Sequence, residues 1–369
     1  MTSDETKARF AAFAAQVLSS SPRDRWLVLT HDNPDPDALA STAVLSNILR
    51  RHFKRKVTVA YGGMIGRAEN REMVRSLRLE LSHLRHLNRK KYQRFALVDC
   101  QPWTGNSQLP KGVIPDVVID HHPMRKATAA SRFVDVRPDY GATATILVEY
   151  LEAAGMHPTR SVATGLVYAI RSETRDFGRE ATGPDHAAYD KLLPRLDRRL
   201  LAKIQIARLP FSYFQTLHSA LESLQGVGNL VVSHLGAVDQ PDIVPEIADL
   251  LLRMEGRTWS LTTGSYGDRL YLSIRTTNSR ADAGNLMRRL IGAKGKGGGH
   301  GTMAGGWIAI PEDQPEAVRN IERSISRRFA KALSKNPDRL LPLAIEKAKA
   351  SKEGAARTAE SSRERNSAA

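Results

Sequence analysis

Short apolar runs that stop abruptly at acids or histidines constrain this chain more than any other feature. Trp26-Leu27-Val28-Leu29 leads into Thr30-His31-Asp32, Phe95-Ala96-Leu97-Val98 into Asp99-Cys100, and Val117-Val118-Ile119 into Asp120-His121-His122. Residues 57–61 and 131–136 are two further runs of this kind. Around them, residues 6–20, 37–53, 69–84, 142–155 and 161–174 carry apolar side chains at helical spacing. Apolar strands alternating with helices predict an α/β domain with a largely parallel sheet. In such a sheet ligands sit beyond the carboxyl ends of the strands. His31, Asp35, Asp37, Asp99, Asp120, His121 and His122 all fall at or just after those ends.

Beyond residue 184 the pattern changes. Residues 184–225 read as helical and connecting, with no strand run. A second domain then opens with a strand at 228–238 and a helix at 242–256. Two alternating strands follow around Ser265-Tyr266-Gly267-Asp268, a hairpin. A helix from Ala281 runs into a glycine loop, residues 295–301, before a last strand at 306–310 and a last helix at 312–333. The expected organisation is a first domain over 1–190, a helical linker over 191–215 and a smaller mixed-sheet α/β domain over 216–334, with a cleft between the two domains. Residues 335–369 are expected to form a basic, partly disordered tail, because Lys, Ala, Ser, Glu and Arg dominate and large apolar residues are few.

Composition narrows the class. No run of 18 apolar residues exists, so no spanning helix is expected. The first 26 residues lack a secretory apolar region, which points to a cytoplasmic location. The single cysteine, Cys100, excludes a disulfide framework and a cysteine zinc cluster. Lys and Arg number 55 against 39 Asp and Glu, a net charge of +16. From Arg50 to Arg94 there are 14 basic residues and 3 acids. This segment is either a solvated basic face or a rim that attracts phosphate.

The three strand ends carry the chemistry. His31-Asp32-Asn33-Pro34-Asp35-Pro36-Asp37 supplies an imidazole and two carboxylates two residues apart, although the same segment is also a rigid turn before a helix, with Asp37 placed to cap it. Asp99 ends an apolar strand, where an unpaired carboxylate is costly. Adjacent His121 and His122 diverge in a strand, but in a turn one can bind a metal and the other a substrate oxygen. The donor set is oxygen-rich with imidazole and no thiolate, which suits Mn²⁺ or Mg²⁺ better than structural zinc. Four carboxylates and two histidines exceed the needs of one ion. Two ions about 3.5–4 Å apart, bridged by a carboxylate, use them all.

These residues resemble the DHH phosphoesterases: His-x-Asn-Pro-Asp-x-Asp at 31–37, a lone Asp99 after an apolar strand, and Asp-His-His at 120–122. Residues 140–151 are similar to the family's Gly-Ser/Ala-Thr helix, and 169–177 to its fourth motif. Gly295–Gly306, preceded by Ser273–Thr277, looks like the DHH-associated C-terminal domain. The layout most resembles the bacterial nanoRNase type, an oligoribonuclease that also removes phosphate from adenosine 3′,5′-bisphosphate.

The resemblance implies that His31, Asp35 and Asp99 hold one metal ion, and that Asp37, Asp99 and His121 hold the other. His122 would contact the scissile phosphate, with Asp120 orienting the pair. The fourth-motif aspartate falls on Glu173, a methylene longer, here expected as a metal ligand. Gly298, Gly299, His300 and Arg275 are expected to hold the far end of the substrate. Short RNA or a nucleotide is the implied partner, no membrane is involved, and a homodimer is left open. Two alternatives stand beside this reading. One is a pyrophosphate, polyphosphate or cyclic-dinucleotide hydrolase; the other is a module that binds RNA or a nucleotide without turning it over.

Overall fold

The structure is a computed structural model that describes residues 3–178, 181–310 and 314–343, without the side chain of His300. Its chain divides into two compact units, Met1–Arg208 and Leu209–Ala369.

The first unit is built on six strands: β1 (Arg25–Leu29), β2 (Lys56–Tyr61), β3 (Leu81–His83), β4 (Arg94–Val98), β5 (Val117–Asp120) and β6 (Val134–Val136). All pair in parallel, in the order β3-β2-β1-β4-β5-β6. Around them lie α1 (Ser3–Leu18), α2 (Pro36–Asn47), α3 (Ala68–Leu77), α4 (Thr143–Ala153), α5 (Arg160–Glu173), α6 (Gly183–Leu192) and α7 (Arg198–Gln205). A parallel sheet must be covered on both faces, so its strands read as continuous apolar runs. Successive residues then serve opposite cores. Trp26, Val28, Ala96, Val98, Val117 and Ile119 join the large core with α1, α2, α4 and α5. Leu27, Leu29, Phe95, Leu97 and Val118 join a smaller core on the other face.

Strand order reverses between β1 and β4, so their carboxyl ends diverge into loops at the topological switch point. One expectation is corrected here. The helix anticipated over 69–84 stops at Arg78, which takes a left-handed conformation (φ 51°). Leu81–His83 becomes the edge strand β3. The basic segment also divides. Arg55 donates to the carbonyls of Val17 and Ser20, and Arg94 pairs with Asp24 and Asp116, so neither serves a rim.

The second unit has seven strands: β7 (Gln225–Val227), β8 (Leu230–Ala237), β9 (Trp259–Tyr266), β10 (Arg269–Thr276), β11 (Gly295–His300), β12 (Met303–Ala309) and β13 (Leu341–Pro342). Their order is β11-β12-β10-β9-β8-β7-β13, and among the described residues only β8 and β9 pair in parallel. Helices α8 (Phe211–Glu222) and α9 (Ile243–Leu251) cover one face, and α10 (Ala283–Ile291) and α11 (Pro315–Ala332) the other.

Two expectations change in this unit. The glycine loop is an edge strand, β11, paired antiparallel with β12. Its glycines permit close packing: a side chain on Gly284 of α10 would run into the carbonyl of Gly299. The tail expected from residue 335 returns to the sheet as β13, and Leu343 donates its N–H to the carbonyl of Leu224. The disorder expected farther along falls outside the described residues. Among the described residues, no helix is long and apolar enough to cross a membrane.

Candidate metal centre

Three loops converge at the carboxyl ends of β1, β4 and β5. Asp35 is the N-cap of α2 and accepts the N–H of Ala38 at 3.0 Å, with Pro36 at the first helical position. Asp37 therefore does not cap its own helix. Its two oxygens accept the N–H groups of Thr143 and Ala144, each at 2.7 Å, at the start of α4. Asp99 follows β4 in a left-handed conformation (φ 58°), rare for a non-glycine residue and a mark of a constrained site. Thr143 donates its hydroxyl to Asp99 Oδ1 at 2.8 Å.

The side chains meet around Asp99, which is 2 % exposed. Its Oδ2 lies 3.6 Å from His31 Nε2, and His31 Nε2 lies 3.8 Å from Asp35. Its Oδ1 lies 3.9 Å from His121 Nε2 and 3.8 Å from His122 Nδ1. Two groups can each offer ligand atoms within 4.8 Å of one another: His31, Asp35, Asp99 and Asp99, His121, His122. Asp99 belongs to both. Asp37 stands at the edge of the second group, 3.9 Å from His121 Nε2. Glu173 ends α5 and enters neither group, although its charge acts on His122.

His121 shows why these residues fit a cation. Its Nδ1 lies 3.2 Å from the carbonyl oxygen of Tyr140, which can only accept, so Nδ1 carries the proton. In the neutral ring this leaves the lone pair on Nε2. Nε2 is buried with no hydrogen-bond partner among the described residues and lies 3.9 Å from both Asp37 and Asp99. An unpaired buried acceptor facing two acids is unfavourable unless a positive ion fills the gap.

Protonation tells the same story. Burial, and then the neighbouring Asp99, pushes the Asp37 carboxyl up to about 8. Burial and Asp35 push Asp99 up to about 7. Burial opposes charge on His31, but Asp35 and Asp99 win and raise it to about 9. The same contest at His122, won chiefly by its hydrogen bond to Asp120, raises it to about 10. Burial pulls the other way at Asp35 and Asp120, yet hydrogen bonds to His31 and His122 lower both. Protons and imidazolium charges thus do the neutralising that a divalent cation does more directly.

Asp120 ends β5 and points back from the centre. Its Oδ1 accepts His122 Nδ1 at 2.9 Å and the N–H of His121 at 3.0 Å. Gln101 completes the loop and was not singled out by the sequence. Its amide donates to Asp120 Oδ2 at 2.6 Å, and its carbonyl accepts the Arg125 N–H and the Thr128 hydroxyl. Thr143 and the Tyr140 carbonyl were also missed. Only their place at the start of a helix beginning Gly-Ala-Thr hinted at them. Cys100 is buried, and its thiol is pushed well above its ordinary value by burial, so it is no nucleophile.

The expected substrate residues lie in the second unit. Arg275 is largely buried, with Nε on Asp249 at 2.8 Å and Nη1 on Ser273 and on the carbonyls of Ile274 and Ala304. Its guanidinium is engaged by α9 and by its own sheet. Gly298 and Gly299 lie in β11; a Cβ on Gly298 would meet open space, whereas one on Gly299 (φ 148°) would strike Met303 and Ala304. His300 pairs through its backbone with Met303.

Parts of this chain are similar to known proteins. Residues 25–170 match the DHH family N-terminal domain, and residues 228–327 match the DHHA1 domain. The chain is 35 % identical over 286 residues, 77 % of its length, to the uncharacterized protein MJ1633 of Methanocaldococcus jannaschii, and spans 58 % of that protein. It is 26 % identical over 283 residues, 72 % of its length, to an A-adding tRNA nucleotidyltransferase of Geobacter sulfurreducens, and spans 31 % of it. The chain thus covers less than two thirds of either curated relative. The crystal structure of an exopolyphosphatase-related protein from Bacteroides fragilis has the same fold, with a TM-score of 0.69 and 14 % identity over 88 % of this chain and 97 % of that one.

Proposed function

We propose that the centre around Asp99 binds two divalent ions and hydrolyses short oligonucleotides to mononucleotides, with adenosine 3′,5′-bisphosphate as a second substrate. The observation that carries this reading is Asp99 itself, shared by two ligand groups beside the unpaired Nε2 of His121. His31, Asp35 and Asp99 would hold one ion; Asp37, Asp99 and His121 would hold the other, with Glu173 close enough to add charge. The oxygen-rich, thiolate-free donor set fits Mn²⁺, with Mg²⁺ as the alternative. Bound in pairs, such ions supply Lewis acidity to a phosphoryl group and lower the pKa of water.

The chain's own residues do the rest. His122, held protonated by Asp120, donates to a phosphate oxygen and offsets its growing charge. Gln101 fixes Asp120 and so aims His122. Tyr140 sets the tautomer of His121 through its carbonyl. Trp103, exposed on the loop just after Asp99, offers an aromatic face to a base, which favours a nucleotide over an inorganic polyphosphate. The similarity to a tRNA nucleotidyltransferase supports an RNA-related substrate.

Product analysis tests this reading. Short 5′-phosphorylated RNAs of graded length, adenosine 3′,5′-bisphosphate, pyrophosphate and a cyclic dinucleotide are each incubated with Mn²⁺, Mg²⁺ or chelator. Mononucleotide release that is fastest on the shortest RNAs and abolished by chelator is expected. Release of phosphate from pyrophosphate alone would replace the nucleotide reading with the inorganic one. RNA binding without any turnover would favour the non-catalytic module.

A further inference from the structure

The second unit holds a polar cavity of about 690 Å³ along one side of α11. Arg319, Arg323 and Arg327 line it at four-residue intervals, so their side chains leave one face of the helix. Like charges at that spacing repel and weaken an isolated helix. Arg327 is offset by Asp338 at 2.9 Å, an exposed pair of small value. Arg319 and Arg323 have no acidic side chain within ion-pair distance among the described residues.

The floor of the cavity holds one imidazole and one carboxyl, His234 and Glu322, 3.7 Å apart. His234 bonds Thr263 through Nδ1 at 2.8 Å and Ser326 through Nε2 at 3.1 Å. Burial holds its imidazole down to about 4, so it is neutral. Glu322 accepts the Thr263 hydroxyl at 2.6 Å, and burial lifts its carboxyl. The floor groups are therefore hydrogen-bonded to one another; Arg319 acts on Glu322 only through its charge, and neither Arg319 nor Arg323 has an acid within ion-pair distance among the described residues.

We propose that this cavity binds a phosphate group, presented either by a small nucleotide or by an RNA backbone. The planar guanidinium fork matches phosphate oxygens, and arginines at successive turns can close on one anion from a single side. The volume falls within the range of small-molecule sites. Asp338 competes with the ligand for Arg327. Its segment, residues 337–340, also lines the cavity, so a bound anion would displace that ion pair. The site lies wholly within the second unit and does not rest on the proposed catalytic function.

The test uses the full chain in chelator, so that the metal centre contributes no phosphate binding. Inorganic phosphate and AMP are titrated by calorimetry, and a 5′-phosphorylated RNA by fluorescence anisotropy at several salt concentrations. The double variant Arg319→Gln/Arg323→Gln should weaken binding about tenfold or more. Asp338→Asn, which removes the competitor, should tighten it a few-fold. Loss of AMP and phosphate binding identifies a small-anion site. Loss confined to RNA, with a salt slope reduced by about 1.4, identifies a backbone contact. Unchanged affinity of both variants for every probe overturns the proposal. Asp338→Asn keeps the test decisive if the double variant fails to fold.

Discussion

Each unit of this protein buries a histidine beside a carboxylate, and the two arrangements differ in what they leave unmet. In the second unit His234, Thr263, Glu322 and Ser326 close on one another, so both ring nitrogens have a partner. In the first unit His121 Nε2 has none and faces two acids, while Asp37 and Asp99 stay protonated well above the usual carboxylate range. A buried polar network built for stability satisfies itself. One built for a ligand is incomplete without it, and the shortfall shows what the ligand must supply: positive charge and open coordination positions.

The largest expected effect breaks the first arrangement at its centre. Asp99→Asn should cut metal-dependent phosphoester hydrolysis by roughly 10³-fold or more. It should leave metal-free stability unchanged or higher, because one of the crowded acids is gone; paired rate and melting measurements check both. A smaller loss follows one layer out. Gln101→Ala frees Asp120 and His122, with an expected cost of about 10–100-fold in activity or metal affinity. Retained full activity would show that Gln101 only braces the loop.

The closed arrangement should respond in the opposite manner. Thr263→Val removes the hydroxyl that serves both His234 and Glu322, at a cost of about 1–3 kcal/mol in unfolding free energy. Hydrolysis per folded molecule should be unaffected. Denaturant unfolding and a rate assay on the same sample separate the two.

The smallest effect is a pH trend. In the metal-free protein Asp37 and Asp99 hold protons to about 8 and about 7, far above an unfolded carboxylate. The folded state binds more protons, so stability falls as pH rises from about 4 toward 8. His31 and His122, raised to about 9 and about 10, add stability that is complete below the unfolded histidine value and is lost as pH climbs through those values. Asp35 and Asp120, both lowered, act in the opposite sense only in acid. Calorimetric melting across this range should show the fall in chelator and a flatter profile with Mn²⁺. Metal-free stability that rises with pH would refute the assignment.

The parallel sheet was legible because burial on both faces forces unbroken apolar runs, and β1, β4 and β5 each give way within two residues to an acid or a histidine. The cluster around Asp99 was legible for the same reason: a carboxylate at the end of a buried strand must have a partner. Other features depended on tertiary contact. β3 has only three residues and sits behind a helical pattern that Arg78 breaks with a left-handed turn. β11 reads as a flexible loop because its glycines answer to α10 packed against it. Gln101 carries no signal of its own, since its role is to join loops that are distant in sequence. Arg275 shows the converse: a basic residue beside a suggestive motif is tied to Asp249 and to its own sheet.

The most direct measurement is a Mn²⁺ titration of the full chain, with calorimetric stoichiometry and proton release read together, for the native protein and Asp99→Asn. A shared carboxylate predicts two ions per chain with protons released near neutral pH, and loss of both ions in the variant. A single ion in the native protein, or two ions still bound after Asp99→Asn, would contradict it.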